Sequence, residues 1–430
     1  MSDGAKQKVH VITMGCVKNT VDSEKLMAQL RRNNVEIVPS IEGADVAVIN
    51  TCGFIDAAKE ESIDMIIEQV KRKGNGTLRK VYAMGCLTER YRRELTGEIP
   101  ELDGIFGSNQ IPEIVRSLGA EYRSELLGER MLSTPSHFAY LKVSEGCDNP
   151  CSFCAIPLMR GRHVSRPVGE IIGEAESLAA QGVKELIVIG QDTTAYGLDL
   201  YGKRRIAALL AMLADIPGIA WVRLMYAYPA HFPADLLEVI AGHPRVCRYL
   251  DLPVQHAADN VLKSMRRGIS RKSLLDLVGR IRGAGAEIAL RTTLIVGYPG
   301  ESGEDFALLE SFVRETGFAR LGVFTYSREE GTTAYPLGDP VPAEEKERRK
   351  GVIMEIQKDI SVARNESLVG SRLRVLIDRA EGGLYIGRTE HDAPEIDNEV
   401  YVTAPGPLTP GTFSDVDIYD ATEYDLYGRV

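Results

Sequence analysis

Residues 145–154 read EGCDNPCSFC and set Cys147, Cys151 and Cys154 in a C-x3-C-x2-C spacing. Three more of the seven cysteines, Cys16, Cys52 and Cys86, form a spread set with 35 and then 33 residues between them. Three thiolates are one short of the usual ligand complement of an iron–sulfur cluster, which leaves one iron open to another molecule. Two such triplets predict two open-iron clusters, and therefore chemistry rather than electron storage. The plainer alternative is a few buried thiols plus a zinc site. It does not account for the sequence context in which the spacings recur.

Working outward from the compact triplet, the spread set needs a fold that gathers it. The first ~130 residues repeat a strand–helix pattern. KVHVITMG, ADVAVIN and KVYAMG read as buried strands, and helices follow around DSEKLMAQLRR, AAKEESIDMIIEQVKRK and TERYRRELTGEI. Short apolar runs alternating with amphipathic helices predict a parallel sheet. Each spread cysteine sits just after one of these strands, in MGC, NTC and MGC. The carboxyl ends of parallel strands form the ligand crevice of an open α/β sheet, so the three should meet there, one βαβ repeat apart.

The middle, 131–365, is again strand–helix in character. AYLKVSEG leads into the compact triplet, and KELIVIG, WVRLMYAY, YLDLPV, EIALRTTLIVG and RLGVFTYS follow with helices between them. About six such units predict a partial (β/α)6 barrel, with the triplet in the loop at the catalytic, carboxyl end of the first strand. A charged helix, AEEKERRKGVIMEIQKDISVAR, connects to residues 366–430. There LRVLIDRA, LYIGRTE, EVYVTAP and FSDVDIYDATEYDLYG alternate apolar and polar residues between Gly and Pro, which predicts a small antiparallel β-barrel. The expected class is α/β in three domains: 1–130, 131–365 and 366–430.

Composition narrows the function. A net charge of −10 argues against a generally basic nucleic-acid binder. No run of about 18 apolar residues predicts a membrane span, and the polar start MSDGAKQKVH carries no signal-peptide core. Thiols in ligand-like spacing fit a reducing, cytoplasmic setting better than a disulfide framework.

The compact triplet, with an aromatic at Phe153, resembles the radical S-adenosylmethionine superfamily. That resemblance implies one [4Fe–4S] cluster on Cys147, Cys151 and Cys154, its open iron chelating S-adenosylmethionine. One electron then cleaves the sulfonium to a 5′-deoxyadenosyl radical. It also implies cofactor contacts at Phe153, at Gly190, Gln191 and Asp192 after a strand, at Gly297 and Gly300 in LIVGYPGE, and near VFTYSREEGTTA. With the spread triplet and the terminal barrel added, the whole chain resembles the methylthiotransferase family. This implies a second [4Fe–4S] cluster on Cys16, Cys52 and Cys86, a TRAM-like C-terminal barrel that grips substrate, and insertion of a methyl-capped sulfur into an unactivated C–H bond. S-adenosylmethionine would be both methyl donor and radical source.

Members of that family differ in substrate. Some modify adenosine in tRNA, others an aspartate of small-subunit ribosomal protein S-twelve. Residues 367–430 hold five Arg, no Lys and twelve Asp or Glu, a net of −7. An acidic barrel suits a basic ribosomal protein better than phosphates, and GQDTTAYG and LYIGRTEHDAPEID resemble the ribosomal-protein branch. The expected partners are S-twelve, free or in the small subunit, an electron donor and a sulfur donor, with no membrane and not tRNA. The rival readings are a tRNA adenosine methylthiotransferase, a non-catalytic iron–sulfur or zinc module docking on ribosomes, and a radical enzyme whose spread triplet only relays electrons.

Other residues keep two readings open. His256 faces the cofactor or makes a structural hydrogen bond. Arg160, Arg162 and Arg166 contact cofactor or substrate, or lie in a solvated loop. Cys247 and Trp221 read as core, and Lys71–Lys73 as a helix end. No H-x-x-H or H-E-x-x-H pattern supports zinc hydrolysis.

Overall fold

The computed structural model describes residues 6–126 and 128–430, with the side chain of Glu125 left out. The first five residues of the polar start lie outside the described residues. The chain forms two compact units. One holds the N-terminal residues to Ser133 together with Glu145–Asp148 and Cys154–Ser177. The other holds Thr134–Ser144, Asn149–Phe153 and Leu178–Val430.

The first unit is built on five strands: β1 (Lys8–Thr13), β2 (Glu36–Ile37), β3 (Val46–Thr51), β4 (Lys80–Gly85) and β5 (Gly104–Gly107). All pair in parallel, in the order β2-β1-β3-β4-β5. The central β3 is buried along its whole length, as a strand covered on both faces must be. Two apolar layers cover the sheet, one around Leu26, Val48 and Met84, the other around Ile49, Ile66 and Ala83. Helix α1 (Val17–Arg32) follows β1. It begins five residues before the expected DSEKLMAQLRR, so its first turn lies beside the strand ends. The edge strands β2 and β5 are too short for an apolar pattern to stand out in the sequence.

Behind α1 lies a buried charge cluster. Arg130 bonds Glu24 and, at 3.2 Å, Glu174. Arg166 and Lys25 reach the same Glu174 at 2.7 and 3.9 Å. Burial works against the Glu174 anion, yet Lys25, Arg166 and Arg130 hold its carboxyl down at about 2.

The second unit contains six parallel strands in chain order: β6 (Phe138–Lys142), β7 (Glu185–Ile189), β8 (Trp221–Leu224), β9 (Val246–Asp251), β10 (Ala289–Val296) and β11 (Arg320–Thr325). The sheet runs open from β6 to β11, as expected for a partial barrel. The helix Ala343–Glu366 leads from it to a closed five-stranded barrel: β12 (Arg372–Glu381), β13 (Leu384–Arg388), β14 (Val400–Thr403), β15 (Phe413–Ala421) and β16 (Leu426–Arg429). This barrel is mixed rather than antiparallel, because β14 and β16 pair in parallel. FSDVDIYDATEYDLYG turns back on itself at Thr422–Asp425 and delivers two strands, and the second closes onto β14 from the parallel side.

The acidic loop after β13 does not face solvent as a whole. Asp392 pairs with Arg320 at 2.6 Å, and Asp397 takes Tyr249 Oη at 2.7 Å and Arg291 at 3.3 Å. Glu395 accepts from Tyr140 Oη at 2.9 Å. Beside them Arg388 bridges Glu185 (2.9 Å) and Asp378 (2.7 Å), and Arg223 holds Glu185 at 2.7 Å. Residues from β6 to β11 are thus zipped to the small barrel by buried ion pairs. Much of the acidity of residues 367–430 is spent there. The carboxylates left outward on β15 are Asp415, Asp417 and Asp420.

Two outcomes follow. Arg388→Ala leaves Glu185 with Arg223 and Asp378 with His137 as remaining partners in a nearly dry site, and losing the shared guanidinium should cost about 3 kcal/mol, read as a lowered midpoint in urea. Glu174 has its carboxyl held below the ordinary 4.5, so its contribution is complete above that pH and is lost as pH falls toward about 2. Acid titration should therefore destabilise the wild type more steeply than Glu174→Gln over that window, and equal slopes would remove this assignment.

Candidate active site

In the first unit, β1 and β3 are neighbours from which the chain proceeds in opposite directions, the switch point where such sheets bind ligands. Cys52 directly follows β3, Cys16 caps α1 three residues beyond β1, and Cys86 directly follows β4. Both MGC tripeptides carry a glycine in the left-handed region, Gly15 (φ +83) and Gly85 (φ +112). A Cβ on Gly15 would lie 2.8 Å from Cys52 Sγ, and one on Gly85 would lie 2.5 Å from the Thr51 carbonyl. Only glycine lets the two outer turns close against the middle one. The spread cysteines are brought together, as their strand-end positions predict.

Asn19 stitches this corner. Its Nδ2 donates to Met14 O (2.9 Å) and Thr51 O (3.1 Å), and Asn50 Nδ2 donates to Asn19 O (2.9 Å). Arg160 enters the same place. Its Nε donates to Cys86 Sγ at 3.2 Å, its Nη1 to Asp22 at 2.6 Å, and its Nη2 to Asn19 Oδ1. Burial pushes the Cys86 thiol up to about 12, against the pull of Arg160, and also raises Cys52. Of the three loop arginines, Arg160 is therefore buried at the spread triplet. Arg162 is exposed against Asp148, and Arg166 serves Glu174.

In the second unit, Cys151 has a similar companion. Arg267 Nη1 donates to its sulfur at 3.2 Å, and Tyr228 Oη lies 3.7 Å from it. Asn149 Nδ2 donates to Asp192 Oδ2 at 2.8 Å, while Asp192 Oδ1 caps the turn at Thr194 and Ala195. One Asp192 oxygen thus positions the cysteine loop and the other caps its own turn. Phe153 packs on Ala258, Met265, Tyr298 and Tyr326. Gly190 ends β7 where a Cβ would meet Ser144 Oγ at 2.7 Å, with Gln191 next to it. Gly297 (φ +73) makes room for the Lys346 side chain, whereas a Cβ on Gly300 would meet nothing. His256 is buried, its Nδ1 accepting from Ala258 N at 3.0 Å. Cys247 and Trp221 are core, and Lys71–Lys73 end a helix.

The donor set fits iron–sulfur chemistry. Among the described residues no disulfide joins any of the seven cysteines. In each triplet one sulfur receives a guanidinium N–H, a donor suited to thiolate charge. Among the described residues no three His, Cys, Asp or Glu side chains gather closely enough to hold a single metal ion. Thiolates that each bind a different iron of a four-iron cube stand further apart than that. At the carboxyl side of the second sheet, Ser144 Oγ, Gln255 Oε1 and Tyr326 Oη are buried without a hydrogen-bond partner, polar groups poised for a ligand. Tyr326 falls in the VFTYSREEGTTA stretch expected near the cofactor, whereas Asn19, Asp22, Arg267, Tyr228, Ser144 and Gln255 were not evident in the sequence. The one available signal was the run of polar residues in the first turns of α1, a face too polar for an ordinary core.

Three family models match the chain: "Uncharacterized protein family UPF0004" over residues 8–107, "Radical SAM superfamily" over 141–313 and "TRAM domain" over 369–430. A protein of Cytophaga hutchinsonii named ribosomal protein uS12 methylthiotransferase RimO is 52% identical over 428 residues, covering 99% of this chain and 98% of that one. Its namesake from Chlorobaculum tepidum is 47% identical over 430 residues, covering 100% and 99%. Among solved structures, the radical S-adenosylmethionine methyltransferase TsrM of Kitasatospora setae aligns with a TM-score of 0.55 at 15% identity, covering 77% of this chain and 74% of that one. It bears on the fold alone.

The two left-handed glycines give a direct test. Gly15→Ala should push Cys52 aside and lower the iron bound after anaerobic reconstitution from about eight to about four per chain, with the circular dichroism spectrum unchanged. Full iron loading in Gly15→Ala would show that Cys16, Cys52 and Cys86 do not act as one ligand set.

Proposed function

The chain belongs to the RimO family of ribosomal protein uS12 methylthiotransferases, and on that footing we propose that it attaches a methylthio group to the β-carbon of one aspartate of uS12. The observation that carries this reading is the 52% identity running end to end, through the TRAM segment as well as both cysteine triplets. S-adenosylmethionine and two [4Fe–4S] clusters, when bound, would supply the methyl group, the electron, a site for the sulfur and the means of taking a hydrogen atom from a C–H bond too weakly acidic for an ordinary base.

The chain's own residues divide that work. Cys147, Cys151 and Cys154 are assigned as ligands of the cluster that engages S-adenosylmethionine, and Cys16, Cys52 and Cys86 as ligands of the second. Arg267 and Tyr228 hold Cys151, and Arg160 holds Cys86, each offsetting thiolate charge where water is scarce. Asp192 orients the cysteine loop through Asn149. Gly190, Gln191, Phe153 and Gly300 remain the assigned cofactor contacts, joined by Ser144, Gln255 and Tyr326, whose buried polar atoms need partners. Gly297 is assigned to packing against Lys346 rather than to the cofactor. The three-domain division at 1–130, 131–365 and 366–430 is supported by the three family matches. A cytoplasmic setting follows from the proposed substrate. No described helix is long and apolar enough to cross a membrane.

Mass spectrometry of uS12 from cells with and without this chain should find the methylthio group on one aspartate only when the chain is present. Cys151→Ala should abolish both 5′-deoxyadenosine release and the modification. Cys16→Ala should keep the first and lose the second. A methylthio group found on tRNA adenosine, and none on uS12, would overturn the substrate assignment.

A further inference from the structure

We propose that a basic hollow on the second unit, backing onto Cys151, is the docking face for an acidic one-electron carrier protein. The inference rests on the radical chemistry assigned above, which draws an electron from outside the chain.

The hollow has a volume of about 920 Å³ and is lined by Pro150, His231, Lys263, Arg266 and Arg280, with Asp259 as its one acid. Lys263, Arg266 and Arg280 are exposed, and none makes an ion pair among the described residues. Asp259 is occupied in accepting Arg271 N at 2.7 Å. In a chain of net charge −10 this is a concentrated positive surface with no internal partner. A concave patch of one sign raises the local concentration of an oppositely charged partner and speeds its encounter.

What marks the hollow as an electron entry is its wall. The helix Asp259–Ser264 ends in a turn where Arg266 (φ +55) and Gly268 (φ +67) are both left-handed. An arginine held there is uncommon, and such strain persists where surrounding structure requires it. The turn sends neighbouring arginines opposite ways. Arg266 faces the hollow, and Arg267, only 4% exposed, turns inward to Cys151 Sγ at 3.2 Å. Tyr228 clamps it from the other side. Its ring centre lies 4.3 Å from the guanidinium, and its hydroxyl donates to Arg267 O at 2.8 Å. The cysteine loop is fastened to the same wall, with Ser152 N donating to Met265 O at 3.0 Å and Ser152 Oγ to Ser264 O at 2.8 Å. Pro150, in the lining, adjoins Cys151 in the chain. A carrier seated in the hollow is separated from a ligand sulfur by one residue on either side, and electron transfer falls steeply with distance. In the step the carrier would be oxidised by one electron and the cluster that Cys147, Cys151 and Cys154 would hold would be reduced by one. No bond is made or broken in that transfer.

The test compares two reductants on the reconstituted full-length protein: the hydroquinone of an acidic flavodoxin, and photoreduced deazariboflavin, which is uncharged. Cluster bleaching is followed in an anaerobic stopped-flow. In Lys263→Glu/Arg266→Glu/Arg280→Glu the flavodoxin rate should fall about tenfold or more, with its salt dependence flattened. The deazariboflavin rate and the iron content should be unchanged. Lys263→Glu/Arg280→Glu, which leaves the left-handed turn untouched, should show a smaller fall of the same kind. An unchanged flavodoxin rate, an equal loss with both reductants, or a loss confined to binding of small-subunit ribosomal RNA would each overturn the docking assignment. Methylation and sulfur transfer to uS12 driven by deazariboflavin read out the proposed function separately, so failure of one is distinguishable from failure of the other.

Discussion

Parallel strands share a direction, and this site depends on that constraint. Each strand of the N-terminal sheet releases the chain at the same edge, so a cysteine placed just after a strand arrives beside those placed after its neighbours, whatever the sequence distance. The 35 and 33 intervening residues are what it takes to return through a helix and run the next strand. The constraint brings the residues near one another, and the two left-handed glycines complete the approach. Without a Cβ at Gly15 and Gly85, the outer turns can press on the segment Thr51–Cys52 between them.

Burial of cysteine in this corner raises an electrostatic difficulty, because ligand thiolates are anions in a place short of water. The chain answers it the same way in both units. A guanidinium, itself buried, donates an N–H to one sulfur at 3.2 Å and is anchored by other groups: Asp22 and Asn19 for Arg160, the Pro253 carbonyl and the Tyr228 ring for Arg267. Arginine suits this task better than lysine because its planar fork can serve the sulfur and its anchors at once.

The legible part of the molecule was the part encoded by pattern. Apolar runs such as ADVAVIN and KELIVIG marked strands, and the cysteines' place after them marked the crevice. What escaped was set by tertiary context. Arg160 sits in MRGRHVSRP, where a cofactor or substrate contact and a solvated loop stayed open, and Arg267 in SMRRG, which carries no pattern. Nothing local says that a fold will bury them. The edge strands Glu36–Ile37 and Gly104–Gly107 are too short to carry a period. The early start of α1 was hidden because its first turns bury mostly polar residues, Lys18, Asn19 and Asp22, around Val21. The net acidity of residues 367–430 was read as suiting a basic partner. Instead Asp392 and Asp397 serve arginines of the same chain, a pairing that a count of charges cannot reveal.

That zipper of carboxylates has an evolutionary corollary. A terminal barrel that merely recognised a substrate could be exchanged between relatives like a cartridge. Here the loop it contributes neutralises Arg291 and Arg320, and its Arg388 answers Glu185, all on strands of the neighbouring sheet. A transplant from a relative with a different loop would take the carboxylate from Arg320 and leave Arg291 and Glu185 each with one partner fewer inside the host. Substrate preference in such a chain can change readily on the outward strands. At the seam it can change only if both halves mutate together.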